Sequence, residues 1–190
     1  MKIVRSLWFL SALIFLIGCA AKIPHVIVPD YDKRLTKLIV VMPVKNASED
    51  PKAADMLRTN VIEELYFKGY PRIPGKVVDE RLALGASGSE SLTPQRIGEL
   101  LNVDAVLFGT LHESKQGRGF LFASTVVEAE FELRSAKTGE RLWRVQHRVS
   151  SRNFGFTSGR VALKSAQVYE SVMQEVVSRA LETLPDATGY

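Results

Sequence analysis

One cysteine in 190 residues excludes an intrachain disulfide and a cysteine-built zinc cluster. Histidine is scarce too: His25, His112 and His147 are the only three, and none stands at metal-ligand spacing or in a His-Glu-x-x-His or His-x-His pattern. Gly117-Arg118-Gly119 completes no phosphate-binding loop and leads toward a strand rather than a helix. Ser87 and Ser89 in Gly85-Ala86-Ser87-Gly88-Ser89 fit the GxSxG nucleophile pattern only loosely, because a serine holds the place of the last glycine and no strong strand precedes it. No apolar run reaches the roughly 20 residues that span a bilayer. The expectation is therefore no catalytic residue, no cofactor and no metal. What is present suits a packed protein: 46% hydrophobic residues, 24% charged and a mean hydropathy of +0.02 supply a core and argue against disorder. The length points to one domain with short extensions.

The formal charge of +4, with a pI near 9.2, hints at nucleic acid only if every residue is kept. The N-terminus argues otherwise. Lys2 and Arg5 precede Leu7 to Ile17, eleven residues of which only Ser11 is not apolar, the length of a signal-peptide core. Leu16-Ile17-Gly18-Cys19-Ala20-Ala21 follows and resembles the bacterial lipobox, in which small residues precede a cysteine that is diacylated on sulfur before cleavage in front of it. The plain alternative is that Cys19 ends an apolar run as a small hydrophobe. Against it, charge, length, small residue and cysteine coincide in the required order. Lipidation of Cys19 after loss of residues 1–18 leaves 172 residues with a charge of +2, Lys2 and Arg5 having gone. The three acyl chains of a mature lipoprotein hold firmly, each buried CH₂ contributing about 0.8 kcal/mol. Ala20 rather than Asp after the cysteine resembles the pattern for export to the outer membrane.

Residues 19–36 mix prolines and charges without a period and read as a lipidated tether, and residues 37–190 as a single α/β domain. Lys37 to Val44 is a β-branched run suited to a strand covered on both faces. Ala54, Leu57, Val61 and Leu65 recur at helical spacing between Pro51 and Lys68, with Gly69 placed to end the helix. A short strand is expected over Tyr70 to Ile73, two helical turns over Val77 to Leu84, and a flexible loop over Gly85 to Ser91. Thr93-Pro94 opens a helix that closes near Asn102, and Val103 to Leu111 is the next buried strand. After a polar loop over Ser114 to Gly119, Phe120 to Arg134 and Arg141 to Val149 form a long hairpin turning at Lys137-Thr138-Gly139. Val127, Ala129, Phe131 and Leu133 share one face, while Glu128, Glu130, Glu132 and Arg134 share the other. Those carboxylates suggest a cation site less than a solvated face paired with neighbouring arginines. His147 has the parity of Trp143 and Val145 and reads as a partly buried histidine. Lys115 and Arg118 with Phe120 and Phe122 could touch lipid or an anionic polymer, although two basic residues fall short of an electrostatic footprint. Val161 to Leu184 is the longest helix, with Tyr169, Met173, Val176 and Ala180 on its stripe. A mixed sheet packed by helices results, parallel in its first half and antiparallel in the late hairpin.

Ile39 to Ser48, Leu65 to Tyr70, Leu100 to Gly109 and Thr138 to Trp143, taken together, resemble a bacterial lipoprotein family of unknown function that includes a meningococcal surface-antigen candidate. More distantly they are similar to the N-terminal domain of TolB and the periplasmic part of CsgG-like lipoproteins. The resemblance implies a TolB-N-like domain on a lipid anchor, non-enzymatic, in the periplasm at the outer membrane. Its expected partners are the membrane and other envelope proteins, a CsgG-like secretion complex among them, and not nucleic acid. The alternatives are a periplasmic hydrolase using Ser87 or His112 and a peptidoglycan- or lipid-binding module.

Overall fold

A computed structural model describes residues 22–85, 92–118, 122–154 and 158–187. Three fourteen-residue antiparallel strands form its centre: β4 (Ala105–Arg118), β5 (Phe122–Ser135) and β6 (Arg141–Phe154). Their alternation settles which side is core, because one face carries Leu107, Leu111, Val127, Ala129, Phe131, Leu133, Trp143 and Val145, all buried. Two short strands, β2 (Ile39–Val41) and β3 (Lys45–Asn46), lie parallel to successive parts of β4, and β1 (His25–Ile27) pairs antiparallel with β6. The sheet runs β1-β6-β5-β4-β2, with β3 also on β4. The fold is the expected mixed α/β sheet.

Helices cover the two faces unequally. α1 (Ala53–Phe67) and α4 (Ser158–Leu181) bury Leu57, Val61, Leu65, Val172, Met173 and Val176 against the large core. On the other face α2 (Gly75–Gly85) and α3 (Pro94–Leu101) pack Val78, Leu82 and Ile97 on Val40, Met42, Val106 and Ala136 at the β2 side. The caps lie where the sequence puts them. Thr93 Oγ1 accepts the Arg96 N–H at 3.3 Å, Asn102 closes α3 in the left-handed region, and Gly69, at φ +87°, ends α1. Gly98 lets α3 approach closely, since a Cβ there would stand 2.6 Å from that of Ala136.

Three expectations need correction. Residues 23–36 do not hang free as a tether: β1 is hydrogen-bonded to β6, Ile23, Ile27 and Val28 pack on the core, and Tyr31 is buried. The open edge of β6 gives this short segment its partner. No strand forms at Tyr70 to Ile73; Pro71 and Pro74 lack the N–H groups a ladder needs, and Tyr70 instead inserts its ring in the core. The segment from Ser114 continues β4 as far as Arg118, paired with Ala123 to Val127. A bulge between Leu111 and Glu113 inverts the parity there, turning Glu113 outward and Ser114 inward. The expected loop at Gly85 to Ser91 falls, past Gly85, outside the described residues.

Candidate protein-contact surface

Two solvent-facing regions are candidates. The first is the sheet face opposite α1 and α4. Arg148 reaches Glu128 at 2.8 Å and Glu113 at 2.5 Å, Arg144 holds Glu130 at 2.8 Å, and Arg141 holds Glu132 at 2.9 Å, with Arg134 also on Glu132. Gln146 donates to Glu128 at 2.6 Å. Hydrogen bonds from Arg148 and Gln146 lower the pKa of Glu128. Burial pushes Glu130 up, but the Arg144 hydrogen bond and charge, with His112, bring it below the ordinary carboxylate value. Every carboxylate of this row has a cation. Such exposed pairs contribute little individually, and their geometry leaves no acid free for a ligand.

The second region is a groove of about 630 Å³ between α1 and α4. The stripe Leu57, Val61, Leu65 turns inward, and Phe67, two residues past it, therefore points out and is 79% exposed. Tyr66 beside it is also exposed, its ring 6.0 Å from that of Phe67. Around Phe67 the groove carries Glu63, Glu64, Glu175 and Glu182 with the guanidinium of Arg179, and Arg72 reaches Glu63 at 3.6 Å. An apolar ring in an acidic rim suits a partner offering an apolar side chain beside basic ones.

Polar groups inside the fold are consumed by structure. Tyr169 donates to Asp50 Oδ2 at 2.8 Å, so its 2.9 Å contact with Ser114 uses the serine proton. Burial pushes the Tyr169 hydroxyl up to about 12, so it stays protonated at neutral pH and cannot serve Ser114 as a base. Tyr70 donates to the Pro185 carbonyl at 2.9 Å and contacts the Tyr31 hydroxyl at 3.2 Å, joining the first turn to the last; burial raises both phenols. Arg58, nearly buried, binds Asp79 at 2.8 and 2.9 Å and the Val41 carbonyl at 3.0 Å, linking α1, β2 and α2. Sequence reading missed all three.

The residues it singled out are scattered. Cys19, Ser87, Ser89 and Phe120 lie outside the described residues. His112 sits at the bulge, 3.5 Å from Glu130. His25 Nδ1 lies 2.9 Å from the Ile23 carbonyl. His147 is half-buried, and burial lowers its pKa. Lys115 pairs with Glu113 at 3.6 Å, and the Arg152 guanidinium stands 5.6 Å from the Phe122 ring centre. Among the described residues no three metal-ligating side chains converge, and no helix is long and apolar enough to cross a membrane.

A family model described as "Putative lipoprotein GNA1162-like" matches residues 30–189. The structure is similar to the lipoprotein GNA1162 from Neisseria meningitidis, at 24% identity and a TM-score of 0.53 over 72% of this chain and 97% of that one. It is also similar to PelC from Paraburkholderia phytofirmans, a dodecamer, at 16% identity and a TM-score of 0.51 over 89% of this chain and 96% of that one. At these identities the two likenesses establish the fold. No curated protein matches the sequence.

Proposed function

From a chain that belongs to the GNA1162-like lipoprotein family, we propose an outer-membrane lipoprotein: residues 1–18 are removed, Cys19 is acylated, and the domain stands in the periplasm as a non-enzymatic assembly component. It holds a second envelope protein, of the CsgG-like secretion class, through the α1–α4 groove. The observation that carries this reading is Phe67, left 79% exposed above an acidic rim, while among the described residues every buried side-chain polar atom has a hydrogen-bond partner. Exposed aromatics of this kind are the anchors of protein interfaces. The anchor supplies the rest. Confining domain and partner to one surface raises their effective concentration, so a modest contact suffices. PelC shows the same fold in a protein that assembles with copies of itself, and self-association through this groove is one form the contact can take.

Metabolic labelling with an alkyne fatty acid tests the anchor. The wild-type chain is expected to take up label and float with membranes, and Cys19→Ala to do neither. Equal labelling of Cys19→Ala would overturn the lipid anchor.

A further inference from the structure

On the reading that Cys19 carries the lipid, we propose that the domain stands with one surface against the bilayer: the groove between β1, β6 and the C-terminal half of α4, with phospholipid headgroups as its occupant. The pairing of β1 is the reason. The chain is fixed to the domain from Ile23 onward, because Ile23 packs on the core and His25 to Ile27 pair with Trp143 to Val145. Four residue steps separate Cys19 from Ile23, a reach of about 14 Å at full extension. A free segment as far as Leu35 would reach about 55 Å, more than the length of β6 at roughly 46 Å, and would let any face meet the membrane. Fourteen ångströms does not. An acylated sulfur lies at the hydrocarbon boundary, and the headgroup region beyond it is itself about 5–8 Å thick. Ile23 is therefore held in or just above the headgroups.

The surface around that exit point is a groove of about 760 Å³. Lys22 and His25 form one wall, His147 and Ser150 of β6 the floor, and Arg179 with Glu175 of α4 the other wall. Arg179 pairs with Glu182 at 3.5 Å. Lys22 makes no ion pair among the described residues, which leaves its ammonium for phosphodiester oxygens. Glu175 and Arg179 of α4, and Glu182 just past its end, also line the α1–α4 groove. The partner surface thus opens at the margin of the headgroup layer, within reach of a protein seated in the same membrane.

The test uses the full lipidated chain, purified from membranes and reconstituted into vesicles of phosphatidylethanolamine and phosphatidylglycerol doped with a headgroup spin-labelled phospholipid. Fluorophores are placed on Ser150→Cys, at the groove, and on Lys137→Cys, at the hairpin turn about 30 Å away along β6. Both positions are exposed, so neither label disturbs the core. Quenching several-fold stronger at position 150 than at 137 is expected. Inserting about sixteen Gly/Ser residues between Ala21 and Lys22 should abolish the contrast, since a flexible linker of that length lets the domain tumble. Equal quenching at both positions, or a contrast that survives the insertion, would overturn the proposal. Failure of the anchor itself reads out separately, as protein that does not float with the vesicles.

Discussion

The outer sheet face and the α1–α4 groove both meet water, and they treat it differently. On the sheet face each carboxylate of Glu113, Glu128, Glu130 and Glu132 has an arginine. The groove instead keeps the ring of Phe67 in solvent among four carboxylates and two guanidiniums, those of Arg179 and Arg72. The first arrangement keeps a two-sided sheet soluble at small energetic return. The second leaves apolar area uncovered, which a partner would remove from water at roughly 25 cal/mol per Å². A dense row of charges is thus the poorer guide to a contact, and one misplaced aromatic the better one.

Substitutions separate the two regions from the core beneath them. Phe131→Ala, which empties a fully buried position of β5, should cost about 3–5 kcal/mol in urea denaturation. Tyr169→Phe leaves Asp50 and Ser114 short of a partner and should cost about 1–3 kcal/mol. The Tyr169 phenol is raised to about 12 in the fold, so its share of stability is fully present below about pH 10, the unfolded value, and is lost as pH rises through 12. Melting temperatures between pH 9 and 12 should fall, less steeply for Tyr169→Phe. Phe67→Ser should leave the denaturation midpoint within about 0.5 kcal/mol of wild type while removing the partner contact; a large loss of stability would make Phe67 a packing residue. The smallest effect belongs to the sheet face. Glu130→Gln with Arg144→Gln should leave the midpoint unmoved at physiological salt; the wild type should lose stability as pH falls through the lowered pKa values of Glu128 and Glu130, and the variant only through that of Glu128.

Local signals carried much of the fold into the sequence. The alternation from Val127 to Leu133, the cap Thr93-Pro94 and the terminator Gly69 each depend on neighbours a few residues away, and each lies where its pattern puts it. Apart from the strand expected at Tyr70 to Ile73, which Pro71 and Pro74 forbid locally, what failed depends on distant partners. His25 to Ile27 is three residues with no period of its own and becomes a strand only because β6 offers an open edge. The bulge at His112 inverts parity through the ladder with β5, so Ser114 reads as a loop residue until its strand partners are known. The groove did leave a trace: Phe67 falls off the stripe Leu57, Val61, Leu65, and a large aromatic off the buried stripe is the mark that was passed over. The four glutamates around it come from α1 and from the end of α4 and the turn after it, more than a hundred residues apart in the chain, which no local pattern reveals.

If Phe67 marks the contact surface and the charged sheet face does not, the two positions must differ in what they touch. A photo-crosslinking amino acid placed at position 67, and in a second strain at Gln146 on the sheet face, tests it in intact cell envelopes. A discrete adduct from position 67 with none from 146 is expected. An adduct from 146 and none from 67 would contradict it.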